Sequence, residues 1–271
     1  MINHKVKSKV AYLYFSLFLI ALLYGVGLIR NACNYKEAEL EYYKKEIILE
    51  ENAFRLVFSN GYITIYHGEV QLTENSGLAC FFTTDGVAYT TFKAAWKIEK
   101  LSFNELLAVA EWPGLPIKQI WHFLLKDDKL SWQVDLENSE DATINHIGVV
   151  FFFRNNYQQW FTLYEQGRMP VLDALQRRKD VSLQVSSNFV GLSPNDKDIK
   201  SFPPLGLNLR EDVFLSEILL STCRDMFSKS IFSSISVGGI DPLRVFKNGK
   251  MILASGEITL FHKKIGFIKI H

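Results

Sequence analysis

The sequence predicts an all-β domain, a large antiparallel two-sheet sandwich, preceded by one N-terminal transmembrane helix. Three observations carry the prediction. An uncharged apolar run of twenty residues lies near the start. After residue 52 the chain changes to short alternating or apolar runs punctuated by Asn-Gly, Asp-Gly, Gly-Glu and Asp-Asp, the grammar of strands and turns. The composition, with 21 Phe, 11 Tyr and 5 Trp among 271 residues, suits pleated sheets better than a helical bundle. With 48% hydrophobic and 22% charged residues the chain is a folding one. Its 30 Lys and Arg against 29 Asp and Glu provide no bulk positive field for a phosphate backbone, so no nucleic-acid partner is expected.

Residues 1–9 form a basic tail containing Lys5, Lys7 and Lys9. Val10 to Ile29 reads VAYLYFSLFLIALLYGVGLI and is closed by Arg30. As a helix this run spans about 30 Å, the thickness of the hydrocarbon layer, with Tyr12, Tyr14 and Tyr24 toward its ends. A cleaved signal peptide is the competing reading. The run is longer than such an apolar region, and Arg30 stands where a small residue is wanted before a cut. The lysines favour a cytoplasmic N-terminus, so the expectation is a single-pass membrane protein with its lipid-bilayer anchor at 10–29 and an extracytoplasmic C-terminal domain.

Residues 30–52 contain YKEAELEYYKKEIILEEN, whose Glu41/Lys45 spacing and composition predict a helical connector without a sustained heptad. The sandwich domain is then expected over 53–271, roughly 220 residues, too many for an immunoglobulin-sized unit. Cys33, Cys80 and Cys223 allow one bridge or none, and no CxxC, CxxH or His-pair spacing marks a metal site. No metal or other cofactor is expected.

Within the domain, Asn60-Gly61 predicts a hairpin with Ser59 opposite Tyr62, burying Phe54, Leu56, Phe58, Ile63 and Ile65 on one face. A second Asn-Gly, Asn248-Gly249, predicts a hairpin joining LRVFK to KMILA. HIGVVFFFR, from His146 to Arg154, is apolar on both faces, as a central strand covered from both sides would be. Around Glu211–Arg224 strand and helix are not distinguishable.

The chemistry-bearing stretch is IKQIWHFLLKDDKLSWQVDLE, from Ile117 to Glu137. A four-residue loop at Lys126–Lys129 puts Leu125 opposite Leu130 and, by alternation, groups Gln119, Trp121, Phe123 and Leu125 with Leu130, Trp132, Val134 and Leu136. The other face carries Lys118 and His122 beside Gln133, Asp135 and Glu137. It is either a solvated exterior with a weak ion pair or the lining of a groove, where carboxylates and an amide hydrogen-bond hydroxyl groups and His122 serves as acid or base. A sugar matches such groups because each hydroxyl both donates and accepts. Trp112, before Pro113-Gly114, and Trp160, in NNYQQW, are expected at a rim where a ring can stack on a pyranose. The ligand-binding candidates are therefore Lys118, His122, Gln133, Asp135, Glu137, Trp112 and Trp160, with His122 and Glu137 the catalytic candidates. No GxSxG, HExxH, P-loop or GxGxxG-plus-helix motif is present.

The succession GYITIYHGEVQLTENSGL, AAWKIEK, WPGLPIKQIW, KLSWQVDLE and NNYQQW, between about Asn60 and Trp160, resembles the β-supersandwich domains of the galactose mutarotase-like group. Those domains occur in carbohydrate-processing enzymes and envelope polysaccharide systems. The resemblance lies in strand rhythm and implies two large twisted antiparallel sheets with a saccharide in a concave groove. Mutarotase members use a His and a Glu as acid and base, but neither His122, His146 nor Glu137 aligns with that pair, so no catalytic residue is carried over. The expectation is a membrane-anchored, extracytoplasmic protein that binds carbohydrate or associates with envelope polysaccharide. The alternatives are an epimerase, lyase or glycoside hydrolase using a His/carboxylate pair, or a scaffold with an envelope protein partner.

Overall fold

The computed structural model describes residues 46–59, 61–215, 217–225, 228–238 and 244–261. The expected tail, anchor and connector up to residue 45 lie outside them. Among the described residues no helix is long and apolar enough to cross a membrane. They contain no α-helix, only two short 3-10 turns at Thr91–Lys93 and Asp196–Asp198.

The last part of the expected helical connector is a strand. Ile47–Glu51 pairs antiparallel with Phe54–Ser59, Ile47 opposite Phe58 and Glu51 opposite Phe54. Leu49 is wholly buried, and Asn52 turns the chain at φ 55°. Helix propensity in a Glu- and Lys-rich stretch is a weak preference; burying Leu49 between two sheets outweighs it. The sandwich therefore begins at Ile47 rather than at residue 53.

Two antiparallel sheets make the sandwich. In the first, strands run in the order Ile47–Glu51, Phe54–Ser59, Tyr62–His67, Thr73–Thr84, His146–Arg154, Ile231–Val237, Ile218–Arg224 and Arg178–Asp180, with Val70–Gln71 and Val87–Thr90 attached. In the second the order is Gln166–Arg168, Tyr157–Phe161, Phe189–Pro194, Leu205–Leu209, Gly249–Leu260, Lys129–Asn138, Ile117–Lys126, Glu105–Glu111 and Ala95–Lys100. The stretch around Glu211–Arg224 thus resolves as a turn followed by a strand.

The first hairpin has the expected register, Ser59 opposite Tyr62 and Phe58 opposite Ile63, and its five expected core residues are buried. His146–Arg154 is central, paired on both sides. Its Phe151 meets Trp132 of the other sheet edge to face at 5.1 Å, a contact that ties the layers together. Gly77 permits a close approach: at φ 50°, a Cβ there would lie 1.5 Å from the Ile63 carbonyl oxygen.

The second Asn-Gly hairpin does not form. Arg244–Phe246 pairs with Ala142–Ile144, while Gly249–Leu260 lies between Lys129–Asn138 and Leu205–Leu209. Residues 249–254 pair with 134–138 on one side, and on the other the Phe214 and Leu215 amides donate to the Ile252 and Leu253 carbonyls, so no edge is left for the sequence neighbour and the dipeptide serves as a bend. Asp141 fixes that bend by accepting from Lys247 Nζ at 2.7 Å and the Asn248 amide at 2.9 Å. Cys80 and Cys223 are both free thiols.

Candidate functional site

The Ile117–Lys126 and Lys129–Asn138 strands pair with Leu125 opposite Leu130, His122 opposite Gln133 and Lys118 opposite Glu137. The expected apolar face is buried against the first sheet. Its one polar member, Gln119, is satisfied there: its Nε2 donates to Cys80 Sγ at 3.0 Å and its Oε1 accepts from Trp121 Nε1 at 3.1 Å. Burial pushes the Cys80 thiol up to about 12, so this sulfur stays protonated and unreactive at neutral pH.

The opposite face brings Lys118, His122, Gln133, Asp135 and Glu137 onto one surface. Lys118 Nζ meets Glu137 Oε1 at 2.7 Å. Gln133 Nε2 donates to Asp135 Oδ1 at 2.7 Å, and Asp135 Oδ2 pairs with Lys250 at 2.8 Å. Asp135 is only 5% exposed, at a register shift against Gly249–Leu260. Farther along, Lys97 pairs with Glu111 at 3.0 Å. Cations and carboxylates alternate across this surface, which leaves it near neutral and dense in hydrogen-bonding atoms.

His122 and Glu137 do not form a pair. Four residues separate Glu137 from Gln133, the partner of His122, which is roughly 14 Å along the strand. Carboxyl pairs that cleave glycosides stand within about 5–9.5 Å of each other. His122 Nε2 instead contacts Glu105 Oε1 at 2.7 Å. Glu105 was not among the residues singled out from the sequence. The alternation in ELLAVAE was the available signal, because it places Glu105, Leu107, Val109 and Glu111 on the outward face.

Both tryptophans expected at a rim are buried, and of the two Trp112 also borders a pocket. Trp112 is 4% exposed, donates its Nε1 to the Thr90 carbonyl at 3.2 Å and meets Phe82 edge to face at 4.9 Å. Trp160 is 7% exposed, donates to the Arg168 carbonyl at 3.2 Å and lies four strands away from the hairpin. A buried indole needs an acceptor for its N–H, and here backbone carbonyls supply it.

One end of the polar face opens into a pocket of about 310 Å³ lined by Glu111, Trp112, Pro113, Leu115, Lys118 and Glu137, among others. The Lys118–Glu137 pair forms a polar side and Pro113 with Leu115 an apolar one.

A second polar cluster, on the outward side of the first sheet, gave no sequence signal. Asp180 Oδ1 accepts from Ser221 Oγ and from Arg178 Nε, both at 2.6 Å, and Cys223 Sγ lies 3.4 Å from Ser234 Oγ. Burial raises the Asp180 carboxyl, but the hydrogen bonds from Ser221 and Arg178 outweigh it and hold the group below the ordinary carboxylate range. The Cys223 thiol is pushed up, mainly by burial. Among the described residues, no group of three or more His, Cys, Asp or Glu is placed to hold a metal ion.

Neither the family models nor the curated proteins contain a match to this chain. Solved structures do match. A galactose mutarotase related enzyme from Lactobacillus acidophilus has a TM-score of 0.57 at 10% identity, over 80% of this chain and 97% of that one. A putative aldose 1-epimerase from Escherichia coli K12 gives 0.54 at 10% identity, over 80% and 99%. A galactose mutarotase-like protein from Lactobacillus casei gives 0.53 at 10% identity, over 80% and 100%. The chain has a galactose mutarotase-like fold.

Proposed function

We propose that this chain is a membrane-anchored, extracytoplasmic protein that binds an uncharged envelope saccharide on the outward face of its second sheet. The observation that carries the reading is the pocket beside the Lys118–Glu137 pair. A pyranose has hydroxyls that donate and accept around its edge and C–H groups on its faces. The pair and Glu111 offer acceptors and a donor to the first, and Pro113 with Leu115 offers apolar surface to the second. Gln133, its amide held by the buried Asp135, continues the hydrogen-bonding surface along the same strand. The near-neutral charge favours neutral over acidic sugars. A fold shared with proteins named as mutarotases and epimerases supports the ligand class by analogy.

Calorimetric titration of the full chain with neutral envelope oligosaccharides tests the reading. Binding should weaken about tenfold or more in Glu137→Ala and Gln133→Ala, the loss of one or two hydrogen bonds. No affinity for any saccharide removes the proposal. The anchor is tested separately, by flotation with lipid vesicles: the full chain should rise with them and a chain lacking residues 1–45 should not.

A catalytic reading has one observation in its favour, the 2.7 Å contact of His122 with Glu105 on the same face. Such a pair orients an imidazole for proton transfer. Polarimetry on freshly dissolved aldoses decides it: acceleration of anomer exchange that disappears in His122→Ala supports catalysis, and an uncatalysed rate rejects it.

A further inference from the structure

Two sheet edges of the sandwich lie side by side where the chain enters the domain. Ile47–Glu51 ends the first sheet and Ala95–Lys100 ends the second, and Lys100 Nζ reaches from one to the other, donating to the Ile48 carbonyl at 2.7 Å. Ile48 is two residues after Glu46, so the chain comes in within about 7 Å of that contact. The turn that follows Lys100 carries Leu101 and Phe103, which are 46% and 70% exposed, and Ile48 on the adjoining edge is 41% exposed. Single exposed apolar side chains are ordinary, but three on adjoining edges at the point of entry form a surface that gains by being covered.

The polar groups of this turn are largely used within the protein. The Leu101 and Ser102 amides both donate to the Glu105 carbonyl, at 3.0 and 3.3 Å, and the Asn104 carbonyl accepts from the Leu125 amide at 2.9 Å. Ser102 Oγ donates to Asn104 Oδ1 at 2.8 Å, and Asn104 Nδ2 donates to the Leu125 carbonyl at 2.9 Å. A turn paired in this way enters an apolar boundary without stranding those groups. The adjoining turn at Lys126–Lys129 has two lysines and two aspartates, so charge does not draw this corner to anionic lipid.

We propose that Leu101 and Phe103 seat the domain on a bilayer surface of no net charge, their side chains entering the boundary between headgroups and acyl chains, with Ile48 beside them. This rests on the membrane-anchored reading above. Sixteen residues separate Ile29, where the apolar run ends, from Glu46, a reach of about 24 Å as a helix and about 55 Å extended. Two apolar side chains alone hold a protein on lipid only weakly. A tether of that reach keeps the turn at high local concentration beside the bilayer, so a weak contact suffices to orient the domain. A comparably exposed pair, Leu163 at 62% and Tyr164 at 70%, follows Tyr157–Phe161, six strands from Glu105–Glu111 across the second sheet, roughly 29 Å. The chain does not enter there, which makes that turn the internal comparison.

Photolabelling of the full chain in phosphatidylcholine vesicles, with a tracer lipid carrying a diazirine on its acyl chain and the modified peptides mapped by mass spectrometry, tests the proposal. Labels should fall on 101–103, at least about tenfold more than on 163–164. The double variant Leu101→Ser with Phe103→Ser, at exposed positions that the fold does not need, should lose at least about tenfold of that labelling. Its flotation with the vesicles should be unchanged, because the anchor is intact. Flotation with labels at 163–164 or 171–175 instead would mean that another edge faces the lipid, and the proposal falls. Flotation with no label between 46 and 261 would mean that the domain stands off the bilayer, which overturns the proposal and leaves the anchor in place. A chain that does not float removes the anchor and the seat together. Undiminished labelling in the double variant would show that these side chains do not insert, and it overturns the proposal as well.

Discussion

The outward faces of the two sheets are polar in different ways. On the second sheet, Lys97–Glu111, Lys118–Glu137 and Lys250–Asp135 are long side chains paired across neighbouring strands, with most of them open to water. On the first, the polar groups are short: Ser221, Ser234 and Cys223, with Asp180 held by Ser221 and Arg178. Ser221 and Ser234 are buried despite pointing away from the sandwich interior. A face of ion-paired long chains presents exchangeable hydrogen-bonding atoms to a ligand, whereas short hydroxyls already bonded to a carboxylate and a thiol have used theirs. That difference is why the second sheet carries the functional proposal.

Both faces rest on one interior, and the largest effects test that shared support. Trp121→Ala under the charged face and Phe151→Ala under the serine face should each cost about 3–5 kcal/mol in denaturant unfolding, because both rings are fully buried. A cost under about 1 kcal/mol at either position would mean that its face does not depend on the common core.

Smaller effects separate the faces. Lys250→Ala leaves Asp135 buried without its cation and should cost about 1–2 kcal/mol, discounted because Lys250 itself is half exposed. Lys118→Ala, in a pair open to water on both sides, should cost less than about 1 kcal/mol. Equal costs would erase the distinction between the buried and open ends of the charged face.

The first-sheet cluster has a pH signature. Asp180 holds its proton less tightly in the folded chain than in the unfolded one. Its contribution is thus present above the ordinary carboxylate value of about 4 and is lost as pH falls through the lower folded value. Thermal melts should show a shallower acid-side decline in Asp180→Asn than in the unaltered chain, and an identical decline would contradict the hydrogen-bond account. The smallest signal is chemical. Cys80, raised to about 12 by burial, should resist alkylation at pH 8 until the chain unfolds.

The legibility of these regions in the sequence followed from how local they are. The Ile117–Glu137 hairpin was readable to its register because alternation and loop length, both local, set it. The helical reading of Ile47–Glu51 failed because Leu49 is buried by partners far along the chain. The rim expectation for Trp112 and Trp160 rested on a neighbouring turn, which says nothing about what lies above an indole; Trp160 and most of the Trp112 ring are buried, although Trp112 does border the pocket. Asn248-Gly249 marked a bend, but 134–138 on one side and the Phe214 and Leu215 amides on the other decided the pairing of 249–254. Glu105 and the Asp180 cluster come together only through sheet order, which a linear reading does not reach.

The central claim, that a saccharide lies on the second sheet's outward face, is tested most directly by photoaffinity labelling. The full chain would be exposed to a neutral oligosaccharide carrying a diazirine, and the modified peptides mapped by mass spectrometry. The account predicts labels within 105–139. Labels confined to 178–180, 221–223 and 232–236 on the first sheet, or none that free sugar competes away, would contradict it.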